Sequence, residues 1–269
     1  MTEWFEGDVI ANGVRLHVHR TGGRAGNGRP PVVIVTGVTD MGIGYARVAR
    51  ALEADYDVIL FDKRGHGRSE KVQTGYTFEE HAADLAALIE VLDLERPRVI
   101  AHSGGAAAAV IVAADHPELM AGLVLYDPCW GSGWGGWGTT VVAMREWFAG
   151  VVPLTREELT AKWRTEHPTW TDEEITWQVE SKVQVSPNVV QTFDQPEPRW
   201  RATLPAITCP ILLLTGDRDH GLVSPDDVQA MSGLWQDGRV VQIAGAGHMV
   251  HHDNFDQFVE AVRAFLAGV

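Results

Sequence analysis

The sequence predicts an α/β protein: a mostly parallel eight-stranded sheet, helices on both its faces, and a helical cap inserted after the sixth strand. Three observations predict it. Short apolar runs (Val32–Val35, Val58–Phe61, Leu123–Tyr126, Ile211–Leu214) alternate with stretches of helical spacing, which is how a parallel sheet buried on both faces reads. A strand, a sharp turn and an alanine-rich helix run together over Val99–Ala109. Strand patterns then vanish from Cys129 to about Pro205, where eight of the ten tryptophans cluster, and resume afterwards. The expected organisation is a core of 1–128 and 206–269 with a tryptophan-rich cap of 129–205.

Taken in order, Asp8–Ile10 and Val14–Arg20 flank Asn12-Gly13, a two-residue hairpin signal. The strand Val32–Val35 runs into Thr36-Gly37-Val38-Thr39-Asp40, and a helix is expected over about Tyr45–Ala54. Val58–Phe61 leads into the charged, glycine-containing loop Asp62–Ser69, expected to be structural, with charges that pair locally. Thr77 and Glu80 have capping-box spacing ahead of apolar positions Ala82, Leu85, Leu88, Ile89 and Leu92. Thr155/Glu158 and Thr171/Glu174 repeat that signal inside the cap. Ser224-Pro225 opens a further helix, Val240–Ile243 is the last strand, and a final helix starts near Asn254.

Composition narrows the function. A formal net charge of −14 over 269 residues argues against nucleic acid and against anionic membrane surfaces as partners. A small-molecule substrate remains, acted on by a monomer or homodimer. The start, Met1–Glu6, lacks a basic and apolar leader, and the longest apolar run, Gly104–Ala114, is too short to span a bilayer. The two cysteines, Cys129 and Cys209, have no metal-ligand spacing and fit a reducing compartment. A cytoplasmic protein without metal or organic cofactor is expected.

The chemistry centres on Ala101-His102-Ser103-Gly104-Gly105. Small residues on either side let a strand turn abruptly into a helix, which lifts the Ser103 hydroxyl above the sheet and sets the Gly104 N–H at a helix N-terminus. The same residues would also suit a glycine-rich turn in an ordinary parallel-sheet protein. A serine nucleophile needs a base and an orienting carboxylate. His248, in Gly247-His248-Met249 after the last strand, is the candidate base. Two carboxylates compete for the third role: Asp219 after the seventh strand and Asp127 at the end of the sixth, with Asp217 a weaker third. The N–H groups of Val38 and Gly104 are the candidate oxyanion donors. Trp130, Trp134 and Trp137, interleaved with glycines, are candidate substrate-binding residues on a mobile gate, with His102 beside them.

These features together resemble the α/β-hydrolases over nearly the whole chain. Within them the chain is most similar to the bacterial N-formylmaleamate deformylases, through Ala11–Arg15, Thr36–Thr39, Arg64–Ser69, Leu123–Pro128, Pro168–Glu174 and Gly247–Met249. That resemblance implies a serine hydrolase of a small amide, ester or lactone, with Ser103, Asp127 and His248 as triad, and it favours Asp127 over Asp219. The chain departs from the pattern at Ala101 and Gly104, where Gly and Met are usual, and in the Trp/Gly run of 130–137. A looser similarity to cofactor-free ring-opening dioxygenases implies an alternative, oxygenation of an N-heteroaromatic. A non-catalytic ligand receptor is the third reading.

Overall fold

The computed structural model describes residues 4–132, 135–217 and 221–269. Its centre is an eight-stranded sheet in the order β1-β2-β4-β3-β5-β6-β7-β8. β1 (Phe5–Ala11) and β2 (Val14–Arg20) form an antiparallel hairpin, in which Asn12 and Gly13 take the positive φ angles (49° and 73°) that a tight turn demands. β2 pairs antiparallel with β4 (Asp57–Phe61). β3 (Pro31–Val35), β5 (Arg98–His102), β6 (Gly122–Tyr126), β7 (Ile211–Gly216) and β8 (Gly238–Ile243) complete the sheet in parallel.

The strands are apolar throughout because both faces are covered. Val33, Val35, Ile59, Val99, Leu123 and Leu213 point to one core, and their neighbours Val32, Ile34, Val58, Leu60, Ile100, Val124 and Leu212 to the other. The first core is closed by α2 (Phe78–Val91) and α3 (Gly104–Asp115), the second by α1 (Ala46–Leu52) and α10 (Phe255–Leu266). Thr77 caps α2 by accepting from the Glu80 N–H, but Glu80 turns its carboxylate to Arg64 at 3.1 Å instead of closing the expected box. The helix expected over 45–54 opens instead with a 3₁₀ turn, Gly42–Tyr45. Asp62 accepts the Gly42 N–H at 2.7 Å, and a Cβ on Gly42 would come within 2.8 Å of the Phe61 backbone.

Between β6 and β7 lie α4 (Trp137–Val151), α5 (Arg156–Glu166), α6 (Asp172–Gln184), a 3₁₀ segment (Pro187–Asp194) and α7 (Trp200–Thr203). Among the described residues this segment contains no strand. Both expected capping boxes are present, at Thr155/Glu158 and Thr171/Glu174. The segment has its own apolar cluster of Val151, Leu159, Trp163, Trp170, Ile175 and Val179. Polar contacts tie it to α1 and to the loop after β3: Arg47 to Glu174 (2.7 Å), Arg50 to Glu173 (2.8 Å) and Lys182 to Asp40 (3.0 Å). α8 (Pro225–Ser232) follows β7 under a Ser224/Asp227 box, and the four-residue α9 (Val250–Asp253), which periodicity does not announce, precedes α10.

Candidate active site

β5 ends at His102, and α3 begins at Gly104, so Ser103 alone makes the turn. Its backbone sits at φ 50°, ψ −119°, a region that costs a non-glycine residue about 1–3 kcal/mol. Surrounding bonds hold it there: the Ser103 N–H donates to Tyr126 O (3.2 Å), and its carbonyl accepts from Ala106 (3.1 Å) and Cys129 (3.3 Å). Gly105 is required because a Cβ would lie 2.5 Å from Thr36 O and 2.7 Å from Val35 O. A Cβ on Gly104 would lie 2.4 Å from Val38 Cγ2. The branched Val38 therefore accounts for glycine at this position. The Gly104 N–H opens α3 and has no partner within the helix.

The loop carrying Val38 is braced from behind. Lys63 Nζ donates to Thr36 O (3.1 Å), Thr36 Oγ1 (3.0 Å) and Gly37 O, and His66 Nε2 contacts Val38 O. A trans peptide sets its N–H opposite its C=O, so anchoring Gly37 O to Lys63 turns the Val38 N–H away from Lys63. Burial pulls the Lys63 ammonium down to about 7, against the opposing pull of Asp40 and Asp62. The charges of the 62–69 loop do not pair locally as expected. Arg64 grips Asp84 at 2.6 Å, and Arg68 reaches Glu6.

His248 Nδ1 lies 2.5 Å from Asp127 Oδ2. Asp127 is fully buried and accepts from the N–H groups of Leu222 (2.9 Å) and Val223 (3.2 Å). Both of its oxygens are therefore committed: Oδ1 to those two amides, Oδ2 to the imidazole and, at 3.0 Å, to the Leu222 N–H as well. Asp217 is exposed and accepts the Gly245 N–H at 2.7 Å, which braces the loop that leads to His248. Asp219 lies outside the described residues.

Ser103 and His248 line two cavities. The larger, about 390 Å³, is also bordered by Gly37, Val38, Asp40, His102, Met144, Trp147, Trp163, Trp170, Lys182 and Met249. The smaller, about 20 Å³, has Phe78, Cys129, Trp137, Phe193 and Leu222 in its walls. Of the four expected substrate-binding residues, Trp137 and His102 reach a cavity, and Trp134 lies outside the described residues. Trp130 does not line either cavity. It is 2% exposed, packed in the core against Trp200 at 6.4 Å, so its place on a gate is corrected to a core position. Gly131 likewise serves close packing: a Cβ there would lie 1.8 Å from Leu222 O.

His102 spends both ring nitrogens on protein. Nε2 donates to His248 O at 3.1 Å, Nδ1 meets the Tyr45 hydroxyl at 2.9 Å, and its ring stacks on Tyr126 at 4.5 Å. Burial lowers its pKa, with Asp40 opposing. Sequence reasoning missed Asp40, Tyr45 and Lys182, and gave Trp147, Trp163 and Trp170 no role. The spacing of those tryptophans on the helical segment was the one available signal. Burial alone would raise the Asp40 carboxyl, but Lys182 and His102 hold it well below the usual carboxylate range. Among the described residues, one trio of metal-ligating side chains has donor atoms within 4.8 Å of one another: Glu6, His17 and His19, on β1 and β2. Arg68 already occupies Glu6.

A strand–serine–helix turn beside a buried carboxylate–histidine pair, on a mostly parallel sheet of this order, is the arrangement of one large class. Residues 30–255 match the family described as the alpha/beta hydrolase fold. The chain belongs to this family and is an α/β-hydrolase. The N-formylmaleamate deformylase of Pseudomonas putida is 30% identical to it across 97% of this chain and 96% of that protein. A solved structure of the N-formylmaleamic acid deformylase from Pseudomonas putida superposes with a TM-score of 0.77 at 26% identity, over 96% of this chain and 100% of that one. The solved structure of E-2-(acetamidomethylene)succinate hydrolase shares the fold, with a TM-score of 0.86 at 23% identity over 98% of this chain and 100% of that one.

Proposed function

We propose that the chain is a serine hydrolase that cleaves an amide or ester of a small molecule through an acyl-enzyme. The observation that carries this reading is the 2.5 Å contact between His248 Nδ1 and buried Asp127, on a histidine that shares a cavity with Ser103 at the strained turn. In this reading Asp127 fixes the His248 tautomer with Nδ1–H toward the carboxylate. Nε2 then takes the Ser103 proton as Oγ bonds to the substrate carbonyl carbon. The N–H groups of Val38 and Gly104 receive the oxyanion, each good donor contributing roughly 3 kcal/mol. His248 returns the proton to the leaving oxygen or nitrogen as the C–O or C–N bond breaks. Water, deprotonated by His248, then releases the acyl group as an acid and regenerates Ser103. The segment 129–205 acts as a cap over this site. The full-length relative named N-formylmaleamate deformylase supports an amide substrate by its name.

The test is labelling by a fluorophosphonate, with mass spectrometry of the modified peptide, alongside turnover of phenyl acetate. Label on Ser103 and loss of turnover in Ser103→Ala are expected. Full turnover by a folded Ser103→Ala protein would overturn the acyl-enzyme.

A further inference from the structure

The two cavities that meet at Ser103 and His248 differ in chemistry as well as size. One side of the larger is a continuous aromatic wall. Trp147 and Trp163 have ring centroids 6.3 Å apart, Trp163 and His167 5.8 Å, and His167 stacks on Trp170 at 3.7 Å with 14° between planes. Met144 and Met249 add apolar, adaptable surface.

The same cavity is poorly suited to an anion. Lys182 is its sole lysine or arginine among the described residues. Its three protons go to Asp40 Oδ1, Gln178 Oε1 and Ser181 Oγ, each at 3.0 Å. The second Asp40 oxygen accepts from the Tyr45 hydroxyl at 3.0 Å. Burial lowers the His167 pKa, which disfavours the charged ring, and Glu166, the other carboxylate of the lining, is paired with Lys162. The smaller cavity, about 20 Å³, has room for one water- or methyl-sized group. An acyl group placed on the confined side leaves the larger cavity for the group that departs.

We propose that the site takes a neutral ester or amide in which a one- or two-carbon acyl group is carried by a flat aromatic alcohol or amine. This rests on the acyl-enzyme reading above. The aryl group lies along Trp147, Trp163 and Trp170, and the acyl group points into the small cavity. Ser103 Oγ bonds to the acyl carbon, the bond to the aryl oxygen or nitrogen breaks, and that atom takes the proton from His248. Water then releases formate or acetate.

The test compares kcat/KM for 2-naphthyl acetate, ethyl acetate, methyl 2-naphthoate and N-formylmaleamate, each divided by its own hydroxide-catalysed rate constant. 2-Naphthyl acetate is expected to lead by about tenfold or more. Trp147→Leu, at a half-buried position, should narrow that lead. A lead by methyl 2-naphthoate would reverse the two cavities and overturn the assignment. A lead by N-formylmaleamate or ethyl acetate would overturn the aromatic site. Calorimetric binding of 2-naphthol to Ser103→Ala separates this proposal from the one beneath it. If Ser103→Ala still hydrolyses the esters, the acyl-enzyme falls, while naphthol binding that Trp147→Leu weakens about tenfold sustains the aromatic site. No naphthol binding overturns it.

Discussion

The sheet and the segment inserted after β6 are held in place by different mixtures of forces. The central strands β3, β5, β6 and β7 bury apolar side chains to two cores and are almost fully shielded. That attraction is large, non-directional and spread over many residues. The inserted segment has a small apolar cluster of its own, sends Trp130, Trp200 and Leu204 into one of the sheet's cores, and adds a few ion pairs to α1 and the loop after β3, of which Lys182–Asp40 is buried on both sides. The ion pairs, unlike the apolar contacts, are directional. The contrast divides the labour: the sheet fixes Ser103, Asp127 and His248, and the segment supplies most of the wall that a substrate would meet.

The sharpest way to break the comparison is at the sheet end. Asp127→Asn should reduce kcat by roughly 10⁴-fold through loss of the correct His248 tautomer, with the fold retained. Asp217→Asn, which alters only an exposed brace, should stay within about threefold. Steady-state kinetics on the two purified variants checks this, and the reverse order would move the acid away from β6.

A smaller effect is expected at the latch. Lys182→Met strands the Asp40 carboxylate in a buried site and should cost about 3 kcal/mol in denaturant unfolding. Adding Asp40→Asn should recover most of that loss, because the uncompensated charge is then gone. If the single variant is as stable as the parent, the segment is not latched at this pair.

The smallest effect concerns Glu174. Burial would raise its carboxyl, but hydrogen bonds from His252 and the Thr171 N–H, with Arg47 beside them, hold it at about 2. A carboxylate with a depressed folded pKa adds stability above its ordinary value of 4.5, and that stability is lost as pH falls from 4.5 toward 2. Glu174→Gln should therefore flatten the acid limb of Tm against pH over this window. An unchanged slope would show that the Arg47–Glu174–His252 contact contributes nothing to docking.

The same division explains what could be read from the amino acids alone. The strands were legible because burial on both faces leaves wholly apolar runs, and the turn at Ser103 because Gly104 and Gly105 stand where a Cβ would meet Val38 and the β3 backbone and a run of alanines follows at once. The capping boxes at Thr155 and Thr171 were legible because a cap is a local, three-residue event. Lys182 was not, since its partner lies 142 residues away. The start of α1 was misplaced for a similar reason: Gly42 is pinned by Asp62, from the next strand's end. Trp130 and Gly131 misled because close packing and mobility both select small residues beside large ones, and only the Leu222 backbone tells them apart.

The 84 residues that separate β6 from β7 (127–210) also bear on biosynthesis. At about 5–20 residues per second, a ribosome delivers β7 some seconds after β6. During that interval Leu123–Tyr126, flanked by β5 on one side only, presents an open apolar strand edge of the kind that recruits foreign strands. Yield of soluble protein in the cell should therefore follow translation speed through the insertion and chaperone supply more closely than it follows the stability of the finished molecule.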